Sequence, residues 1–454
     1  MRRMLSTLAV AIVLPGSAWA QAFPPDPAFR PGEQGSRNIE VMGHVPLGRA
    51  FSGSDIEMEQ ELSRPYVYTS VMLQTGTNII SIKDPSKPFV LWQWRMPQSE
   101  IHQGTGAMDN KYFKLRGRYY DVQSLQFGQS GPDAEVGAHV MDVTGLPDTA
   151  KIIDKGFIRY AKATGGFHNI FMYKHSDGRS LLFVTTSSPQ ANVYDMDKYL
   201  AGDAQQGLIG AVPVPDNPAM APARGYHDFY LGYDPASKQD KFYGAGSGGY
   251  HIYDISRPEE PKLLTSIVGV AGVGYGHTFT PDPTGRYVVT EVEYQYAPLR
   301  LFDLKPGLDG QVKVISRPIG AWTARWKGLS HNHEVRWPYV FVSAYEDGLQ
   351  VFNMMDPTNP YTVGYYDTYD GPNQHGFGGA QTPETGTGVT NGAFGVDVRN
   401  ADGLIVLEDF RTGFWAFKMD GFEGWNGHQW GMPNISSVQD WDNGPEGAPK
   451  KATS

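Results

Sequence analysis

Apolar and polar residues alternate with period two in short runs along most of this chain, and the runs repeat. Three align without a gap: Gly76-Thr-Asn-Ile-Ile-Ser-Ile-Lys-Asp-Pro-Ser-Lys-Pro88, Gly249-Tyr-His-Ile-Tyr-Asp-Ile-Ser-Arg-Pro-Glu-Glu-Pro261 and Gly348-Leu-Gln-Val-Phe-Asn-Met-Met-Asp-Pro-Thr-Asn-Pro360. Each reads as a glycine, a β-strand and a rigid Pro-x-x-Pro turn that ends the strand. Looser copies lie at Gly137 to Val143, Ala191 to Met196, Leu299 to Leu304 and Gly413 to Met419. A second strand rich in β-branched and aromatic residues precedes most copies, as at Tyr66, Leu181, Tyr287, Tyr339 and Leu404. A further strand follows Pro-x-x-Pro, as at Phe89 to Trp94. Seven four-stranded units spaced by roughly 50 to 65 residues predict an all-β, seven-bladed propeller.

The last copy lacks a strand after Met419, where the chain turns polar and Gly-rich. Near the N-terminus an orphan strand, Asn38 to Leu47, resembles the fourth strand at Thr362 to Tyr365. It is expected to complete the last blade and so close the ring, which removes exposed sheet edges. The organisation predicted is a signal peptide at 1–20, an extended Pro/Gly-rich segment at 21–37, the propeller at 38–420 and a Gly- and Trp-containing tail at 421–454.

The signal-peptide reading rests on Arg2-Arg3, an apolar stretch from Leu5 to Leu14 and a small-x-small site at Ala18-Trp19-Ala20. It predicts a periplasmic or secreted protein. No later segment approaches the roughly 18 consecutive apolar residues of a membrane span. There is no cysteine, so neither disulfides nor thiolate chemistry enter. The net charge is −10, or −12 once Arg2 and Arg3 are removed. This disfavours nucleic acid and anionic membrane surfaces as partners.

The Ile-Tyr-Asp-Ile-Ser-Arg-Pro-Glu-Glu-Pro pattern at 252–261 resembles the LVIVD-repeat family of secreted bacterial propellers. The similarity runs from about Asn38 to Met419, although the copy at Ala191 lacks the glycine and that at Gly413 lacks Pro-x-x-Pro. The resemblance implies the fold and export. It implies no activity and carries over no catalytic residue.

The chemistry that stands out is histidine. Six of the predicted blades carry one near their start: His102, His168, His227, His277, the pair His331 and His333, and His375. Innermost propeller strands line a central channel, so side chains at one height on several blades converge on the axis. Imidazoles held in this way suit copper or iron, and also zinc or manganese. His168, His227, His277 and His333 are the first choices, then His102, His331 and His375. In blade one Glu59 or Gln60 occupies the place that aligns with His333. Glu59, Asp228 and Glu334 flank the ring and are candidates to orient imidazoles or carry protons. His44, His139, His175, His251 and His428 read as structural or surface residues.

Two functions follow. One is a metal-dependent oxidase or oxygenase acting on a small organic molecule. The other is a non-catalytic binding or scaffold propeller for an envelope partner, whose blade-entry histidines hydrogen-bond within their blades.

Overall fold

The computed structural model describes residues 34–48, 52–98, 106–126, 135–162, 165–216, 225–325, 328–369, 391–425 and 439–445. The targeting segment expected at 1–20 lies outside them, as do His102, His375, His428 and Trp430. Strands form seven small sheets in a ring, a seven-bladed β-propeller. The innermost strands are, in blade order, Ile56–Met58, Gly106–Leu115, Ile170–Lys174, Tyr226–Asp234, Thr278–Pro281, Asn332–Arg336 and Ala393–Val398. Each packs against the next, and the seventh against the first.

The N-terminal strand Ile39–Val45 closes the ring. It pairs antiparallel with Gly413–Met419, setting Ile39 opposite Met419 and Val45 opposite Phe414. Blade one shows why the strands read as they do. Its second and third strands, Tyr66–Val71 and Gly76–Ser81, are buried on both faces, while the fourth, Phe89–Arg95, is largely half-exposed. The glycine that opens the three gap-free repeats has a steric reason. A Cβ at Gly249 or Gly348 would strike a carbonyl oxygen of the fourth strand, Ile267 or Tyr366, and φ there is +137° and +65°.

Two excursions depart from the repeat. The chain leaving blade five's third strand, Leu299–Asp303, makes a helical turn at Lys305–Leu308. It then lays Val314–Ile315 parallel to Lys262–Val268 on the edge of blade four, and only then supplies blade five's fourth strand, Gly320–Trp322. A helical turn at Met196–Leu200 follows blade three's third strand, and the Asp195 carboxylate caps it by accepting from the Asp197 and Lys198 amides.

The tail packs on the propeller. Trp441 is buried against Phe113. Gln439 accepts from the Lys174 amide at 2.5 Å and donates to the Met172 carbonyl at 2.6 Å, pairing with blade three's innermost strand. Among the described residues no helix is long and apolar enough to cross a membrane.

Candidate metal centre

Strand register sets the height of each candidate. In blade six His331 donates its amide to the Ser343 carbonyl, and in blade five His277 does the same to Glu291. Ser343 and Glu291 each end the second strand of their blade, so His277 and His331 are equivalent. His168 and His227 hold that position in blades three and four, where Asn169 lies opposite Thr185 and Asp228 opposite Ala245. Four consecutive blades thus present an imidazole at one height, and Phe394 takes the place in blade seven.

The backbone of this layer is pinned from blade to blade. An innermost strand has an unpaired edge on the axis, and side chains of the preceding blade satisfy it. Ser124 Oγ donates to the His168 carbonyl at 3.0 Å, Asn169 Nδ2 to the His227 carbonyl at 3.0 Å, and His331 Nδ1 to the Phe394 carbonyl at 2.7 Å. The imidazoles therefore stand on rigid elements, which fixes their mutual geometry.

Three of the four rings are held in one tautomer. His168 Nδ1 donates to Gln126 Oε1 at 2.6 Å, His277 Nδ1 to Glu291 Oε2 at 2.7 Å and His331 Nδ1 to the Phe394 carbonyl. With the proton on Nδ1, His168 and His331 are neutral and carry their lone pair on Nε2, and His277 does so once it gives up its second proton. His168 Nε2 lies 3.0 Å from His227 Nε2, and the His227 and His277 rings are 4.1 Å apart. Glu293, just beyond blade five's second strand, brings Oε2 to 3.5 Å from His277 Nε2. Ligand atoms of His227, His277 and Glu293 all lie within 4.8 Å of one another, so they could hold a metal ion. His168 borders this group, and His331 sits 4.8 Å from the His277 ring, stacked on Phe394.

Charge follows from burial. Burial alone would lower the His277 pKa, but Glu291 and Glu293 overturn it and raise it to about 9. Burial, with the neighbouring His277 charge, lowers His168 to about 4 and His331 well below the usual imidazole range. Burial likewise raises Glu291, to about 7. The extra proton on His277, between Glu291 and Glu293, is one that a metal ion bound at Nε2 would have to displace.

Other expected residues fall elsewhere. His333 lies two residues further along its strand than His331, opposite Val342, and lines the channel below the imidazole layer. Neither of its ring nitrogens makes a hydrogen bond, and burial lowers its pKa to about 3. The Val289 carbonyl is close enough to favour a ring proton but lies outside bonding geometry.

Glu59 does not align with His333. Its amide bonds the Tyr66 carbonyl, which places it level with Arg336, the residue opposite Tyr339. Its carboxylate is taken by Arg64, at 2.7 and 2.8 Å, and by the Tyr68 hydroxyl at 2.5 Å. Similar spacing from the following tyrosine misled the alignment: Glu59 to Pro65 separate the two strands of blade one, but only Trp337 and Pro338 separate those of blade six. Asp228 lines the channel just below the imidazoles, accepting from the Phe229 amide at 2.7 Å, and burial raises it to about 7. Its charge still reaches His277. Glu334 also lines the channel and pairs with Arg336 at 2.6 Å.

The remaining described histidines are bonded away from the axis. His44 reaches the Thr412 carbonyl and His175 the Ile255 carbonyl, His139 stacks on Trp94, and His251 bonds Ser266 and Ser247.

Sequence reasoning missed Gln126, Glu291, Glu293 and Tyr345. All four lie at or just past the end of a second strand. The run Tyr287-Val-Val-Thr-Glu291 was visible as that strand, and following it two residues further reaches Glu293.

No family model matches this sequence, and no curated protein matches it. The chemistry of the site rests on its own geometry.

Proposed function

We propose that this chain is a metal-dependent oxidase or oxygenase of a small organic molecule, working at a mononuclear iron centre on the propeller axis, with copper as the alternative. The observation that carries this reading is the convergence of His227, His277 and Glu293, with His277 locked by Glu291 in the tautomer that presents Nε2. Two imidazoles and one carboxylate are the donors that ferrous iron takes in oxygenases, with positions left open. A bound ferrous ion would supply a redox-active Lewis acid at those positions. The donors alone would also accept zinc or manganese.

The chain's own residues have distinct tasks. Glu291 orients His277 and raises its basicity, and Gln126 does the orienting for His168. His168 Nε2 stands ready as a further donor beside His227. Phe394, Phe410, Met72, Met108 and Leu329 form an apolar cluster with Tyr345 on one flank, which limits water there. The leader-like first twenty residues and the resemblance to LVIVD-repeat propellers support work in the periplasm or outside the cell.

The test is elemental analysis of protein purified without chelators or a metal-binding tag. One iron or copper per chain, lost from the His227→Ala, His277→Ala double variant, is expected. If no metal is found even after loading with iron, copper, manganese and zinc, the reading falls. A binding platform with structural histidines then takes its place.

A further inference from the structure

Tyr345 lies just past the second strand of blade six, two residues beyond Ser343, as Glu293 lies two beyond Glu291 in blade five. Its backbone has φ +40°, a region that bulky residues avoid. Two bonds to blade seven hold it there. The Tyr345 amide donates to the Ala393 carbonyl and the Ala393 amide to the Tyr345 carbonyl, both at 2.9 Å. A tight turn locks it further, with the Gly348 amide on the Tyr345 carbonyl at 3.0 Å. Strain of this kind persists where the surroundings over-determine it, and it gathers at functional sites.

The strained backbone directs the ring inward. It is 2% exposed and meets His331 edge-on at 5.3 Å between centroids. Its hydroxyl donates to Glu293 Oε1. The other oxygen, Oε2, is the one facing His277 Nε2 at 3.5 Å. The two carboxylate oxygens thus have separate partners: one a phenol, the other the candidate metal position.

We propose that Tyr345 is a positioning residue that holds Glu293 as a one-oxygen ligand. This rests on the metal reading above and deepens it. Occupying Oε1 with a hydrogen bond keeps the carboxylate from closing on the ion with both oxygens. A coordination position is thereby left for substrate or dioxygen. The phenol also fixes the carboxylate plane, as hydrogen-bonded partners of metal ligands do, and loss of such partners lowers metal affinity about 10- to 100-fold.

The experiment loads the full-length mature protein with Co(II) as a spectroscopic probe. Affinity and visible absorption are compared for wild type, Tyr345→Phe, Glu293→Ala and the double variant. The expected result is a 10- to 100-fold weaker Co(II) site in Tyr345→Phe, with an altered spectrum, and no further change when that substitution is added to Glu293→Ala. Wild-type affinity and spectrum in Tyr345→Phe would overturn the proposal, as would an equal loss with and without Glu293. If Tyr345→Phe does not fold, Tyr345→Leu carries the same prediction, because it also removes the hydroxyl and leaves Glu293 in place. Wild-type protein that takes up no Co(II) would remove the metal reading itself. That result is distinct from a metal site indifferent to Tyr345.

Discussion

The mouth of the channel and the channel beneath it are both crowded with ionisable groups, yet they solve the problem of buried charge differently. The channel, a cavity of about 50 Å³, is lined by Asp55, Glu57, Asp109, Asp228 and Glu334, with Lys111 among them. It contains its own cations. Lys111 Nζ sits 2.6 Å from Asp109 and 3.7 Å from Glu57, while Arg336 pairs with Glu334 at 2.6 Å and Asp397 at 3.4 Å. Backbone amides take further oxygens: Ile56 donates to Asp55, Ile170 to Asp109, and Val398 and Met58 to Asp397. At the mouth, Glu291 and Glu293 converge on His277, and the imidazoles turn Nε2 toward one another. Carboxylates alone do not make a metal site. Among the described residues the one group with metal-ligating spacing is at the mouth, where the positive charge is a proton on His277 and not a fixed Lys or Arg, so a metal ion can take its place.

The largest expected effect tests that contrast directly. Removing His227 and His277 together should take bound metal from one ion per chain to background. Asp55→Asn with Asp109→Asn should leave the metal in place. Elemental analysis of both variants decides, and metal lost from the channel variant instead would reverse the assignment of roles.

Next in size is Lys111→Met. It removes one of the channel's two cations and leaves Asp109 and Glu57 buried without it. Breaking a buried pair from one side costs about 3–5 kcal/mol. Urea unfolding should show a loss of that order, and added divalent metal should not restore it. Restoration by metal would mean that the channel, too, is a cation site waiting to be filled.

The contrast also explains what the sequence disclosed. The fold was legible because each blade repeats the same strand alternation and the same Pro-x-x-Pro stop. The missing strand after Met419 and the orphan at Asn38 pointed to the closure seen between Ile39–Val45 and Gly413–Met419. The site was legible only as a phase. His168, His227 and His277 were recognised because each lies at the start of a blade, just before or at the beginning of its innermost strand. Which histidine of the pair His331 and His333 shares their height depends on strand register, and sequence spacing does not encode register when turns differ in length. Glu293, Gln126 and Tyr345 escaped because they reach the axis from the neighbouring strand of a blade, where a lone Glu, Gln or Tyr carries no motif.

A smaller effect concerns pH. Burial first, then Glu334, raises Asp397 from 3.8 to about 6, although Arg336 opposes this. The folded protein holds that proton where the unfolded chain has released it. The stability contributed is fully present below about pH 3.8 and is lost as pH rises toward 6. Asp397→Asn has no such proton. Relative to wild type it should gain up to about 3 kcal/mol between pH 4 and pH 7, at about 1.4 kcal/mol per pH unit. Unfolding curves across that range test it. A difference that does not change with pH would mean that Asp397 is ionised throughout, held by Arg336.

The smallest expected effect separates His333 from the imidazoles above it. Its ring is 4% exposed and its nitrogens make no hydrogen bond, so an apolar side chain of similar size forfeits little. His333→Leu should leave metal content unchanged and keep stability within about 1 kcal/mol near neutral pH. The sign with pH is opposite to that of Asp397. Burial lowers the folded pKa from 6.5 to about 3, so the unfolded chain gains a proton first as pH falls. The wild type is therefore at full stability above pH 6.5 and loses it on acidification, by about 2 kcal/mol at pH 5. His333→Leu removes that loss and should be the more acid-resistant protein. Depleted metal in this variant would put His333 among the ligands and move the centre one layer down the axis, into the carboxylate channel.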